Sequence, residues 1–353
     1  MKAFLFSTLF LISVNLHATS VEDRLLVLEE EISMLKGQVN ESKKIGILNS
    51  KRLNLGGYFI FQAESINSNQ SANSFRKIET ELIISGELID RWTYFNEVEI
   101  EHESGLDKAT KHTADRFYTK HQDIIKLERA WINYEKSDLV NIKAGLMFSP
   151  IGYMNRTHYK PVILGTDRAL FLRNNMISRT FSGTSIWGRS KRLLYEVYGG
   201  SNPTVDETPF VGGARLEYEF AYKKHIAFSN HNTRRADKKY TTVNAIDIHS
   251  EWKNFNLTIE YLKDNLEGEG YYIEPSYRQG SWQFFYRYDF ADIDVDVDQD
   301  DDYHRQILGV NHLISGNKRL KLDYQLYDYK IKKDSNNKNK DFSKITFELA
   351  FTF

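Results

Sequence analysis

Residues 344–353 read KITFELAFTF, and large apolar side chains alternate there with small or polar ones. The apolar positions are Ile345, Phe347, Leu349, Phe351 and Phe353. Neighbouring side chains of a β-strand point to opposite faces, so this spacing predicts a strand with one apolar face and one polar face.

The same alternation recurs upstream in segments of about ten residues. Together with the last segment they predict sixteen strands, near 53–65, 77–89, 91–103, 124–135, 139–148, 180–190, 192–200, 210–222, 224–234, 241–253, 255–264, 270–278, 281–290, 304–315, 318–331 and 343–353. The connections between them alternate between long and short, and the first is long.

Alternating connection lengths and an even strand number are typical of barrels that cross the bacterial outer membrane. We therefore predict an all-β fold, a 16-stranded antiparallel transmembrane β-barrel at 53–353. A soluble β-sandwich or propeller would alternate as well, and periodicity alone does not say which face is outside. The connection lengths favour the barrel.

The residues before the barrel predict export. Residues 1–20 combine Lys2, an apolar run and small residues at Ala18 and Ser20, which is typical of a secretory signal peptide cleaved after one of those two. Residues 21–40 carry apolar side chains at alternating steps of four and three, which predict a short periplasmic α-helical coiled coil. Its β-branched and leucine positions favour a dimer in an isolated parallel coil. Residues 41–52 are a polar linker.

Composition excludes several classes of protein. The 353 residues contain 47 Lys and Arg, 48 Asp and Glu, and no cysteine. The balanced charge argues against a nucleic-acid partner, and the missing thiols exclude disulfides and thiolate metal sites. We find no catalytic motif and expect neither enzymatic activity, nor a cofactor, nor a metal.

Residues 127–155 (LERAWINYEKSDLVNIKAGLMFSPIGYMN) place a strand, a tight turn and a second strand before Gly145, Pro150 and Gly152. This stretch, with the architecture of the chain, resembles the outer-membrane porin family that includes the phosphate-selective porins O and P. The resemblance implies a homotrimer, a third loop folded into the lumen, and a terminal Phe353 that serves as the assembly signal. The phosphate-binding residues of the family are not carried over, because no arginine ladder stands at matching positions.

The third long connection, 149–179, is the natural constriction of such a pore. It holds one acid, Asp167, against five cations, which we expect at the constriction: Arg156, Lys160, Arg168, Arg173 and Arg179. Its many apolar residues favour packing inside the barrel over a free loop. These cations would lower the barrier for anions.

Four carboxylates alternate along one strand, at Glu97, Glu99, Glu101 and Glu103, and would form an acidic row in the lumen. They could be half of a transverse field, with the cations of the third loop opposite, or ordinary lumen polarity balanced by neighbours such as Arg129 and Lys143. A second acidic run, 291–303, lacks the glycine and the later glutamate of a calcium loop, and we interpret it as an extracellular segment that attracts divalent ions loosely.

The sequence thus predicts an outer-membrane porin for passive diffusion of small hydrophilic solutes, with a weak preference for anions. Outer-membrane lipid and lipopolysaccharide are the expected partners, besides further copies of the chain. A solute-specific channel or receptor, for a siderophore, an oligosaccharide or phosphate, is the alternative. An outer-membrane hydrolase has the least support.

Overall fold

The computed structural model describes residues 53–67, 72–108, 117–157, 159–173, 176–202, 210–234, 240–292, 302–330 and 341–353. The expected signal peptide, coiled coil and linker at 1–52 lie outside the described residues and stay predictions. Most of the acidic run, at 293–301, also lies outside the described residues, and its loose binding of divalent ions stays a prediction.

Sixteen antiparallel strands close into one barrel in which each strand pairs with its sequence neighbours and β1 pairs with β16. In chain order, β1 to β16 are Asn54–Asn67, Ala72–Ile89, Trp92–Lys108, Phe117–Glu135, Asn141–Phe148, Thr180–Ser190, Leu193–Ser201, Phe210–Ala221, Lys224–Arg234, Tyr240–Trp252, Phe255–Asp264, Glu269–Gln279, Trp282–Asp292, Asp302–Ser315, Lys318–Lys330 and Phe342–Thr352. The predicted fold class is confirmed.

The predicted strand bounds agree with the structure within a few residues, except around the first two long connections. At the first of them, β2 starts at Ala72 and not at the predicted 77. The larger difference is at the second. There β3 and β4 extend to Lys108 and start at Phe117, so this connection is shorter than the predicted 104–123. The added residues 104–108 (SGLDK) and 117–123 (FYTKHQD) do not alternate between apolar and polar side chains, so the pattern gave no signal for the added pairs.

The structure settles which face is outside. Large apolar side chains are exposed on the outer surface of the barrel, among them Ile78, Ile100, Ile125, Ile186, Phe228, Ile246, Phe284, Leu322 and Ile345. The alternate positions point inward and are mostly polar and buried, for example Glu79, Arg215, Asp247, Arg287, Arg305 and Lys321. A soluble sandwich or propeller would bury its apolar face, so that alternative is wrong.

The strand register shifts at five places among the described residues, and two of these β-bulges lie in the pairings of β1 with β2 and of β3 with β4. Gln62 pairs with Lys77 and Ala63 with Phe75, which leaves Arg76 as an extra residue in β2. Glu97 pairs with Arg129 and Val98 with Leu127, which leaves Glu128 as an extra residue in β4. A bulge lets two consecutive side chains lie on one face, and here that face is the lumen.

The described helical structure is one short helix, α1 (Leu170–Arg173), between β5 and β6. No helix among the described residues is long and apolar enough to cross a membrane.

The barrel closes where the C-terminal residue meets β1. The amide of Gly57 donates to the carbonyl of Phe353 at 3.0 Å, and the amide of Phe353 donates to the carbonyl of Gly57 at 3.1 Å. A β-carbon on Gly57 would lie 1.9 Å from the carbonyl oxygen of Glu81 on β2. Glycine is therefore required at the closing seam. The proposed role of Phe353 as an assembly signal is a separate prediction.

We expect Gly57→Ala to destabilise the folded barrel by about 1–3 kcal/mol, because the new methyl group must displace backbone on β2. The refolded fraction in a urea series, read from heat-modifiable gel migration, measures the change. Gly316→Ala is the matched control, since a β-carbon there meets no atom within 4 Å. Equal stability of the two variants would contradict the seam argument.

Candidate functional site

The connection from β5 to β6, residues 149–179 and here called L3, packs against the inner wall of the barrel. Buried apolar residues of L3, namely Ile151, Met154, Ala169, Leu170, Phe171, Leu172, Met176 and Ile177, form one cluster with inward-facing wall residues. The wall residues are Val243, Ala245, Leu262, Tyr272, Ala291 and Tyr327. The apolar content of L3 is thus explained by burial in the lumen.

The first part of L3 is fixed by a buried carboxylate on β11. Glu260 Oε2 accepts hydrogen bonds from the amides of Tyr153 at 3.2 Å and Met154 at 3.1 Å. Gly152 has a φ of +68°, and a β-carbon there would lie 1.7 Å from Glu260 Oε1. Glycine therefore allows both the turn and the close approach.

Cations of the wall hold backbone carbonyls of L3. Arg287 on β13 donates to the carbonyls of Leu164 at 2.7 Å and Asp167 at 2.8 Å. Lys321 on β15 donates to the carbonyl of Lys160 at 2.7 Å. Bonds from charged donors are stronger than those between neutral groups, so L3 is fixed along its length on this side.

Asp167, the one acid of L3, is the centre of a buried ion-pair network. Its Oδ2 lies 2.5 Å from the Lys344 ammonium and 3.7 Å from Arg305, and its Oδ1 lies 3.6 Å from Arg76. These cations come from β16, β14 and β2, on both sides of the closing seam. One carboxylate therefore ties the loop to three strands.

Lys160 connects L3 to the acidic wall. Its ammonium lies 2.6 Å from both carboxylate oxygens of Glu79 on β2 and 3.7 Å from Glu99 on β3. Burial lowers the pKa of Lys160, and the charge of Glu79 opposes this change. Beside it, the rings of Tyr159 and Tyr58 meet edge to face, with centroids 5.1 Å apart.

Between L3 and strands β1 to β4 lies a cavity of about 250 Å³. Twelve of the side chains that line it are charged, six of each sign: Arg76, Lys77, Lys126, Lys160, Arg168 and Arg179, with Glu79, Glu99, Glu101, Glu128, Asp167 and Glu348. The apolar side chains that line it are Ile60 and Ile163. The cavity is therefore strongly charged, with equal numbers of acids and cations in its lining.

Three of the five cations predicted for the constriction line this cavity: Lys160, Arg168 and Arg179. Arg156 is exposed, lies 2.6 Å from Glu217 on β8, and is not among the lining residues. Arg173 ends α1, and its side chain lies outside the described residues.

The acidic row of β3 faces the lumen at Glu97, Glu99 and Glu101, which are all buried. Glu97 pairs with Arg129, and Glu101 lies 2.5 Å from Lys77. Cations from the neighbouring strands β2 and β4 therefore lie beside the row, which is the arrangement expected for ordinary lumen polarity. The backbone of Glu103 pairs with Lys77, and its side chain lies outside the described residues.

Several lining residues escaped the sequence analysis, chiefly Arg76, Lys77, Glu79, Lys126 and Glu128. Arg76 and Glu128 are the extra residues of the bulges in β2 and β4, and a bulge interrupts the alternation from which inward-facing residues are predicted. The signal in the sequence was two adjacent charged residues inside an otherwise alternating segment, as at Arg76-Lys77 and again at Glu128-Arg129.

Comparison with solved structures places the fold among outer-membrane barrels. The OmpF complex with daunomycin from Salmonella typhi has a TM-score of 0.63 at 12% identity, covering 87% of this chain and 99% of that one. The anion-selective porin from Comamonas acidovorans has a TM-score of 0.61 at 11% identity, covering 85% and 99%. OmpT of Vibrio cholerae in its trimer form has a TM-score of 0.60 at 8% identity, covering 85% and 99%.

Sequence comparison adds little to this. No family model matches the chain. An uncharacterized protein of Aquifex aeolicus is 27% identical over 95 residues, which are 26% of this chain and 22% of that protein's length. The chain thus has the fold of outer-membrane porins, and its closed barrel with an apolar outer surface locates it in the bacterial outer membrane.

Proposed function

We propose that the protein is a porin-type channel for passive diffusion of small hydrophilic solutes. The observation that carries the proposal is L3, which is fixed inside the barrel and leaves a charged cavity beside it. A pore discriminates by its diameter and by the charged groups that line it. Twelve charged side chains and two isoleucines favour small polar or ionic solutes over apolar ones.

Two arginines of L3 support a weak preference for anions in a cavity whose acids are largely paired. The carboxylate of Glu79 is shared by Lys77 and Lys160, Glu101 lies on Lys77, and Glu128 pairs with Lys126. L3 adds Arg168 and Arg179 to the same cavity, and cations that line a pore lower the barrier for anions. We therefore keep the selectivity predicted from the sequence, with Arg168 and Arg179 as its source.

Assembly and partners follow from the outer surface and from the neighbours. Lipid and lipopolysaccharide would cover the exposed apolar side chains. A homotrimer is the assembly that we propose, supported by the resemblance and by the trimer form of the Vibrio cholerae neighbour. Membership of the phosphate-selective branch would require saturable block of conductance by phosphate, which a general porin lacks.

We expect the double variant Arg168→Gln, Arg179→Gln to shift the preference from anions toward cations, since it removes two positive charges from the cavity. The measurement is the reversal potential of the channel in planar bilayers under a salt gradient. Arg156→Gln is the matched control, because this L3 cation pairs with Glu217 and is not among the lining residues. Cation preference in the unchanged protein, or an equal shift in the control, would contradict the assignment.

We expect Asp167→Asn to release L3, since a buried ion pair that loses one partner typically costs about 3–5 kcal/mol. Lys344, Arg305 and Arg76 would then lie close together without the carboxylate that separates them. Single-channel conductance should rise and become noisier, and L3 should become sensitive to protease. Asp90→Asn, at a turn carboxylate that is 98% exposed, is the control. Unchanged conductance and protease resistance would show that Asp167 does not fix the pore.

A further inference from the structure

The acidic side of the lumen contains a group of three carboxylates on two neighbouring strands. Glu79 and Glu81 are two residues apart on β2, and Glu81 pairs directly with Glu99 on β3. One oxygen from each of the three lies within 4.8 Å of the other two. This spacing allows a single ion to contact all three.

The environment of Glu81 supplies an independent observation. Its side chain is 0% exposed, and its Oε2 accepts a hydrogen bond from the Tyr58 hydroxyl at 3.0 Å. Its Oε1 is buried and has no hydrogen-bond partner among the described residues. A buried carboxylate oxygen without a partner is destabilising unless a cation or a donor reaches it.

In the described part of the chain, the ion pairs of the wall and of L3 reach Glu79 and Glu99 but not Glu81. Lys160 and Lys77 both form ion pairs with Glu79, and Lys77 forms a second ion pair with Glu101. Lys160 is 3.7 Å from Glu99. Among the described residues, neither the Lys77 nor the Lys160 ammonium forms an ion pair with Glu81.

We propose that Glu79, Glu81 and Glu99 bind a hard divalent cation, in competition with the Lys160 ammonium. Calcium takes carboxylate oxygens in flexible geometry, which suits side chains from two strands. Glu79 and Glu99 line the lumen cavity, so the ion can enter from the water-filled side. Bound there, it displaces Lys160 from the wall and changes how L3 is held.

Isothermal titration of CaCl₂ into the refolded full-length chain in detergent tests the site without any transport. We expect saturable binding with a midpoint of about 1 mM, the range of weak carboxylate sites. Glu81→Gln should weaken binding by at least about tenfold, and Lys160→Gln should tighten it because the competing ammonium is gone. These differences between variants separate the site from loose calcium binding at the acidic run 291–303.

Glu97→Gln is the matched control. Glu97 is an inward-facing glutamate of the same row that pairs with Arg129 and lies outside the group of three. Because Glu97 acts on the group only through its charge, calcium affinity should fall much less in this variant than in Glu81→Gln. Heat-modifiable migration verifies that each variant is folded, and Glu99→Gln replaces Glu81→Gln if the latter does not fold.

Absence of saturable calcium binding would overturn the proposal, as would equal losses in Glu81→Gln and Glu97→Gln. Because binding is measured directly, a failure here is distinct from a failure of the proposed channel. The protein can conduct ions, with the selectivity set by Arg168 and Arg179, and yet fail to bind calcium. Equally, it can bind calcium at the three glutamates and yet fail to conduct.

Discussion

The pairing of L3 with the inner wall is the interaction on which the form of this pore depends. A sixteen-stranded barrel encloses a wide lumen, and its inward-facing arginines, lysines and acids would otherwise be hydrated separately. L3 enters that lumen with backbone carbonyls for Arg287 and Lys321, a carboxylate for Lys344, and an ammonium for Glu79. The polar groups of L3 and of the wall thus serve as partners for one another. The open part of the lumen is the part where L3 does not contact the wall.

The two sides of L3 are held by different chemistry. Towards β10 to β15 it buries apolar side chains and gives carbonyls to cations, whereas towards β2 and β3 it meets the acidic wall through Lys160. The apolar side resembles an ordinary protein core and is insensitive to salt. The Lys160 contact is electrostatic and borders on water, so it is the part of the loop most exposed to competition by ions.

The fold could be predicted in detail because each strand repeats one simple rule. Alternation in segments such as KITFELAFTF defined the strands, and the connection lengths defined the barrel. The site could be predicted only in part. Loop composition pointed to Lys160, Arg168 and Arg179, which line the cavity. Which cations of L3 reach the cavity depends on how the loop packs, and Arg156 instead forms an ion pair with Glu217.

The wall residues of the cavity were harder to predict for a physical reason. Arg76 and Glu128 lie at bulges, where local backbone geometry overrides the period of two. Pairings such as Lys77 with Glu101 and Arg129 with Glu97 join neighbouring strands, and a single sequence without structure does not reveal which residues lie opposite. Adjacent charges within an alternating strand are the one local sign of such positions.

The bulges of β2 and β4 allow the charges that face the lumen to change without a change in the apolar residues that face the lipid. In a regular strand these two sets of residues are coupled. In a regular strand, one inserted residue would reverse every later side chain and bring charges into the lipid. A bulge absorbs the insertion, and the outer surface beyond it keeps its apolar residues, as Ile78 and Ile125 show. Gain or loss of a single codon at either bulge can therefore alter the charge of the passage during evolution while the lipid-facing sequence remains the same.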